Sequence, residues 1–403
     1  MDSMQPISMF DIQNNYFPIG IIAMESAKEL GEKIDRHLMS WYYEAKPEAK
    51  NDEYTRKSLL LKAACPRFNT GDAKAILAES VRGYDIYIIT DVGNYNCKYN
   101  MYGFEAPMSP DDHFQDLKRI ISAIGGKAQR ITVIMPTLYG GRQHKRSARE
   151  SLDAAHALQE LQSMGVSNVI TFDAHDPRVQ NAVPLMGFDN GMPNYQVLKA
   201  LLRKVDDLKI DKDHLMVVSP DEGAMQRNIF YSSIMGLDLG MFYKRRDYSR
   251  IVNGRNPIVA HEYLGAAIEG KDVFVSDDIV ASGDSLLGLA EDLKKEGAKR
   301  IFLSATYGLF TAGLERFDKA YKDGLFDLLL STNLTFQRPD LLERPWYLSV
   351  DVSKYVAYFI QATHQNRSVT TILNSHEKIH TLLEKHIAAQ KEKDAECTLF
   401  SQS

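Results

Sequence analysis

At 403 residues the chain is long enough for two or three domains of about 150 residues each, which excludes a single small module. Hydrophobic residues make up 44% and charged residues 25% of it, so a disordered or fibrous chain is excluded as well. With 48 basic and 53 acidic side chains the net charge is −5, which argues against a broad nucleic-acid-binding face and requires that any phosphate be met by a local cluster. Cys65, Cys97 and Cys397 are widely spaced and odd in number, offering neither a disulfide framework nor paired metal-ligand spacing. No basic residue precedes Lys28 and no apolar run approaches the roughly 18 residues of a membrane helix, so a cytoplasmic protein is expected.

In chain order, the polar stretch Tyr42–Ser58 reads as a loop insertion. A strand is predicted at Asp85–Thr90, followed by a second insertion, Gly93–Asp112, rich in Asn, Tyr, Gly and Pro. Helical periodicity at His113–Ala123 and Ser151–Met164 brackets a strand at Ile131–Pro136, and another strand follows at Val169–Phe172. The turn-rich run Pro184–Pro193 marks a domain boundary, dividing the chain into 1–186 and 187–375. Beyond it, strands at Leu215–Ser219, Leu239–Tyr243, Val273–Ser276, Ile301–Thr306 and Phe326–Leu330 alternate with helices at Ala224–Met235, Leu286–Glu296 and Gly313–Tyr321. This alternation predicts an α/β fold with parallel sheets. In the tail, 376–403, a helical stripe of Ile379, Leu382, Leu383, His386 and Ile387 predicts an amphipathic helix.

Polar chemistry collects at the ends of the predicted strands, where open α/β sheets bind ligands. The segment FVSDDIVASGDS ends a strand in Asp277-Asp278 and turns through small residues into a helix. Backbone N–H groups of such a loop, with the helix dipole and the Ser282 and Ser285 hydroxyls, can hold a phosphate, while the carboxylates suit vicinal hydroxyls or hydrated Mg²⁺. The same residues would also serve as a plain helix cap and solvated strand-end carboxylates. The loop TLYGGRQHKRSARES concentrates Arg142, His144, Lys145, Arg146 and Arg149, either a phosphate-binding cluster or a solvated basic loop. Asp173, His175 and Asp176 follow the next strand, where a metal-bound nucleotide could lie, and a sparse metal site is expected. Asp221 and Glu222 precede a helix, and Lys244, Arg245 and Arg246 sit on a predicted loop able to close over a substrate. A P-loop is absent, since Gly125-Gly126-Lys127 is followed by Ala128.

Taken in order, PRFNTGDAK, ESVRGYDIYIITD, GGRQHKR, ITFDAHDPRVQ, VVSPDEGA, YKRRD, FVSDDIVASGDS and ATYGLFTAGLERF resemble the ribose-phosphate pyrophosphokinase family over roughly Ile21 to Leu373. The resemblance implies two similar phosphoribosyltransferase-like α/β domains with an active site at their interface. It also implies a homo-oligomer built on dimers, a hexamer among the forms allowed, and Mg²⁺-dependent transfer of diphosphate from ATP to ribose 5-phosphate. Carried over by position, Phe68, Thr70, Asp72, Arg142, Gln143 and His144 would bind ATP, with Phe68 stacking on the adenine of a neighbouring subunit. His175 and Asp221 would contact the metal, and Asp277, Asp278, Ser282, Gly283, Asp284 and Ser285 would bind ribose 5-phosphate. Lys244 and Arg246 match the pair on the family's mobile catalytic loop, and Arg82 and Arg149 match an allosteric phosphate site.

The chain departs from the family pattern where Ala281 replaces an aspartate and Asp284 a glycine of the sugar loop, where His144 replaces an aspartate, and where Thr70 and Asp72 replace Asp and Glu. Asp284 would repel a 5-phosphate if it pointed inward, so its side chain is expected to face solvent or cap the helix. The altered loop leaves room for a non-catalytic regulatory homologue, or for a diphosphotransferase acting on a larger ribose 5-phosphoester.

Overall fold

The computed structural model describes residues 18–47, 56–246 and 258–401, and the side chains at 244–246, 258–261 and 394–401 lie outside the described set. The chain forms two compact units.

The first unit opens with β1 (Ile19–Ala23) and α1 (Lys28–Ala45), then a short antiparallel pair, β2 (Ala63–Ala64) with β3 (Ile76–Leu77). There follow β4 (Asp85–Ile89), a hairpin of β5 (Lys98–Met101) and β6 (Phe104–Pro107), α2 (Pro110–Ile124), β7 (Arg130–Ile134), α3 (Asp153–Ser163), β8 (Asn168–Phe172) and β9 (Gly187–Gly191). Its five-stranded sheet has the order β1-β4-β7-β8-β9, all parallel. Ile86, Ile88, Val133 and Val169 of its strands and Leu117, Ile121 and Leu158 of its helices are buried together in the core. Part of the Gly93–Asp112 insertion, expected as loop, is thus hairpin, and α2 starts earlier than its apolar periodicity indicates. Ser109 and Asp112 form a reciprocal capping box around Pro110, which anchors the helix start.

The second unit comprises α4 (Asn194–Lys204), β10 (Leu215–Ser219), α5 (Met225–Met235), β11 (Leu239–Arg246), β12 (Ile258–Leu264), β13 (Asp272–Val280), α6 (Asp284–Lys295), β14 (Ile301–Gly308), α7 (Glu315–Lys322), β15 (Leu328–Thr332), α8 (Pro339–Leu342) and β16 (Tyr347–Val350). Its seven-stranded sheet runs β12-β11-β10-β13-β14-β15-β16, parallel except where β12 pairs with β11. Two strand ends differ from expectation. The backbone of Lys244–Arg246, expected as loop, continues β11 because remote residues of β12 pair with it, Lys244 opposite His261. β13 extends through Val280, so Asp277 and Asp278 lie within a strand that its partner β14 pairs as far as Val280 opposite Gly308.

The units do not follow the sequence boundary at 186/187. β9 belongs to the first unit because it pairs with β8, and the chain later returns there through Asn333–Phe336 and Asp351–Leu373, which include α9 (Ser353–His364) and α10 (Thr370–Leu373). The final helix, α11 (His376–Ser401), packs on α4 and α5, where His386 and Gln390 approach the Leu208 carbonyl at 2.8 and 2.6 Å. Among the described residues no helix is long and apolar enough to cross a membrane.

Asp85 secures the return. Its buried carboxylate accepts from Arg130 Nε at 2.9 Å and Nη2 at 2.5 Å and lies 2.8 Å from His364 Nδ1 at the end of α9. Arg130 also donates to the Thr363 carbonyl at 2.8 Å, and the Tyr87 hydroxyl meets Thr363 Oγ1 at 2.9 Å. Burial would raise the Asp85 pKa, but its bonds to Arg130 and His364 outweigh burial and hold it below the usual aspartate range. A depressed folded-state pKa means that this stabilisation is present above about pH 4 and is lost as pH falls through the folded value. We therefore expect Asp85→Asn to lower unfolding free energy at pH 7 by about 3–5 kcal/mol, since it strands Arg130. In denaturant titrations the deficit should narrow as the pH is taken below 4.

Candidate active site

In the second unit, parallel pairing of β10 with β13 (Val218 opposite Val275) brings two polar strand ends side by side. Asn228 of α5, fully buried, joins them. Its amide donates to the Ser276 carbonyl at 2.8 Å, accepts from the Ser276 N–H at 3.1 Å, and donates to the Ala224 carbonyl at 2.9 Å. In the loop after β10, Ser219 Oγ donates to the Asp221 carbonyl at 2.8 Å, and the Asp221 carboxylate accepts from the Ala224 N–H at 3.1 Å. Asn228 therefore ties the loop carrying Asp221 to the strand carrying Asp277.

Asp277 is the strained charge of this group. Burial first, then the neighbouring Asp278 carboxylate, push its pKa well above the usual carboxylate range, Asp221 adds to the push, and Arg227, with Nη1 3.9 Å away, opposes it. Neighbouring carboxylates destabilised by burial and mutual repulsion fit a ligand that brings hydroxyl donors or a divalent cation. Among the described residues no group of three or more His, Cys, Asp or Glu side chains could by itself cage a metal. One or two of these carboxylates could hold a divalent cation that keeps most of its waters.

The loop after β13 is braced by N–H bonds from Leu309 to the Val280 carbonyl at 2.8 Å and from Thr311 to the Ala281 carbonyl at 2.9 Å. Gly283 is needed where it stands. Its φ is +87°, and a Cβ there would lie 2.3 Å from Phe317 Cζ. Ser282 Oγ donates to Asp284 at 2.7 Å, and Arg316 pairs with the other oxygen of the same carboxylate. Both bonds hold the Asp284 pKa below its ordinary value, the Arg316 contact most. Asp284 and Ser285 are exposed, and Ser282 is half-buried.

In the first unit, Phe68 is 54% exposed at a tight turn in which its N–H bonds the Asp72 carbonyl at 2.7 Å and Thr70 Oγ1 bonds the Asp72 carboxylate at 2.9 Å. The β5–β6 hairpin buttresses this turn, Tyr102 N–H donating to the Asn69 carbonyl at 2.9 Å while Arg67 lies over the Tyr99 ring. Arg142 is exposed. The Gln143 amide donates to the Ser151 carbonyl of its own loop at 2.9 Å. His144 lies 3.5 Å from Asp176 and 5.3 Å ring to ring from His175, and its buried Nδ1 has no partner among the described residues.

Of the candidate metal triplet only His175 is exposed. Asp173 is buried with φ +43°, its N–H bonded to the Gly191 carbonyl, and Asp176 is gripped by Arg178 at 2.6 Å, which drives its pKa down to about 2. The Asp173 backbone bond and the Asp176 carboxylate brace the loop that presents His175. Arg82 and Arg149 are both exposed on this unit. The side chains of Lys244 and Arg246 lie outside the described residues.

The N-terminal domain of ribose phosphate pyrophosphokinase matches residues 19–165, and the phosphoribosyl transferase domain matches 188–342. The chain belongs to the ribose-phosphate pyrophosphokinase family. A ribose-phosphate pyrophosphokinase of Vibrio parahaemolyticus is 27% identical over 316 residues, covering 77% of this chain and 91% of the relative. One from Ralstonia nicotianae is 29% identical over 255 residues, 62% of this chain and 72% of its own. The fold matches the crystal structure of phosphoribosylpyrophosphate synthetase from Mycobacterium smegmatis with a TM-score of 0.67 at 19% identity, covering 87% of this chain and 99% of that one.

Arg227, Asn228 and Arg316 were not singled out by sequence. For Asn228 a signal existed, because it shares the buried helix face of Tyr231, Ser232 and Met235, where an unpaired amide would be costly. Replacing it by leucine should strip both Ser276 backbone groups of their partners and lower unfolding free energy by ~2–4 kcal/mol, measurable by denaturant titration.

Proposed function

We propose that this chain transfers a diphosphoryl group from Mg²⁺-bound ATP to the anomeric hydroxyl of ribose 5-phosphate, giving 5-phosphoribosyl 1-pyrophosphate and AMP for nucleotide biosynthesis. The observation that carries this reading is the group of Asp221, in the loop after β10, with Asp277 and Asp278 of β13, beside a small-residue loop that opens a helix, in a chain of the pyrophosphokinase family.

Asp277 and Asp278 would accept hydrogen bonds from the ribose hydroxyls, relieving the repulsion that burial imposes on Asp277. Backbone N–H groups of residues 282–285, at the positive end of α6, would take the 5-phosphate. Exposed Phe68 would offer a stacking face to adenine from a neighbouring copy in a homo-oligomer, and Arg142 would pair with ATP phosphate oxygens. Asp221 and His175 would hold Mg²⁺ with its waters; when bound, the ion neutralises charge on the triphosphate. Lys244 and Arg246 would disperse charge on the moving diphosphate. The anomeric oxygen attacks the β-phosphorus in line, a bond forms there as the bond to the α-phosphate oxygen breaks, and the hydroxyl proton passes to solvent. No covalent intermediate or dedicated base is needed, because a reducing-end hydroxyl is more acidic than an ordinary alcohol. We place the reaction in the cytoplasm. An acceptor with a larger ester on the 5-phosphate is the second reading, favoured by Ala281, whose small side chain opens the sugar loop.

Phosphorus NMR of the protein with ATP, Mg²⁺ and ribose 5-phosphate should show AMP and phosphoribosyl pyrophosphate, with larger esters turning over more slowly. ADP as product, or no turnover, would defeat the proposal. Lys244→Ala should lower kcat by about a hundredfold or more with little change in ATP affinity, because the contact is made in the transition state. Equal losses in both would reassign the lysine to ground-state binding.

A further inference from the structure

Asp284 places a carboxylate in the loop that the proposed function assigns to a phosphate dianion, and the inference below rests on that assignment. It is the first residue of α6, immediately after Gly283, so a carboxylate turned toward the loop N–H groups would compete with and repel the ligand. The structure shows it turned elsewhere. One oxygen pairs with Arg316 in the first turn of α7, and the other accepts the Ser282 hydroxyl at 2.7 Å.

The position of Arg316 is set by its neighbours in sequence. Phe317 is fully buried against Gly283, whose missing side chain leaves the space the ring occupies, and it stacks on Trp346 with centroids 5.6 Å apart. Asp318 accepts the Trp346 indole N–H at 2.8 Å and pairs with Arg344 at 3.0 Å. The first turn of α7 is thereby pinned to the sugar loop, and Arg316, one residue before the anchor, is delivered to Asp284.

We infer that Arg316 is a positioning residue for the acceptor site: it neutralises the Asp284 carboxylate and holds it out of the phosphate cradle, which lets a loop carrying an aspartate bind a sugar phosphate. Ser282 has one proton to donate and gives it to Asp284, while its Oγ accepts the Asp284 N–H at 3.5 Å, so the phosphate is left to the other loop N–H groups and Ser285. Arg316 and Asp284 act as one unit, and removing only the cation should harm acceptor binding more than removing both.

The test compares the intact protein with Arg316→Ala, Arg316→Gln and the double variant Arg316→Ala/Asp284→Asn. It measures KM for ribose 5-phosphate and for ATP, and ribose 5-phosphate affinity by calorimetry. Each single variant should raise KM and Kd for ribose 5-phosphate about tenfold at low salt, the order expected for an unpaired unit charge facing a dianion across an exposed site. KM for ATP should stay within twofold, the defect should shrink as ionic strength rises, and the double variant should recover most of the affinity. Arg316→Gln guards against misfolding of the alanine variant, and melting temperatures serve as the folding control. An unchanged ribose 5-phosphate KM in folded single variants overturns the inference while the functional proposal stands. A double variant no better than Arg316→Ala also overturns it, because Arg316 would then be touching the phosphate itself. If the intact protein binds no ribose 5-phosphate, both readings fall.

Discussion

The buried amide of Asn228 is the contact on which the carboxylate site is built. A parallel sheet brings the ends of β10 and β13 close but leaves the loops that follow them free to diverge. One asparagine, exchanging two hydrogen bonds with Ser276 and donating a third to Ala224, fixes Asp221 and Asp277 on a common footing. Because these groups are buried, the alternative to pairing is desolvation with nothing in return, and that makes the arrangement stiff. A stiff scaffold is what allows Asp277 to be kept in a state its own chemistry disfavours.

Charge is then handled differently at the strand ends of the two units. In the first unit, the Asp176 carboxylate is taken up by the Arg178 side chain and backbone N–H, and Asp173 is buried, leaving His175 as the exposed residue of the three. In the second, burial and the neighbouring Asp278 and Asp221 carboxylates push the Asp277 pKa up, with Arg227 opposing from 3.9 Å, which favours a ligand bringing a cation or hydroxyl donors to Asp277. Asp284 is the exception, since Arg316 meets its charge fully at the surface. The contrast separates carboxylates that support the structure from the Asp277 group, although all of them look alike in the sequence.

The return of the chain to the first unit follows the same logic of buried charge. Asp85 starts β4, Arg130 starts β7 and His364 ends α9, residues with no local reason to associate. Once buried together, none of them can be lost singly without stranding another. The bonds among them explain why α9, far along the sequence, belongs to the first compact unit.

By itself the amino-acid order determined the α/β class, most of the parallel strands, the family and the identity of the loops that carry chemistry, because apolar runs of strand length and clusters such as Asp277-Asp278 are local signals. The end of β11 at Lys244–Arg246, the hairpin inside Gly93–Asp112 and the true limits of the units were decided only by tertiary structure, since each depends on a partner strand or helix supplied from elsewhere in the chain. The same holds for the side chains. That Gln143 bonds to its own loop, that Asp176 is spent on Arg178 and that Arg316 reaches Asp284 are outcomes of packing and of the need to pair buried or opposing charges. Sequence names the groups available, and only the folded chain settles which of them are consumed in holding it together.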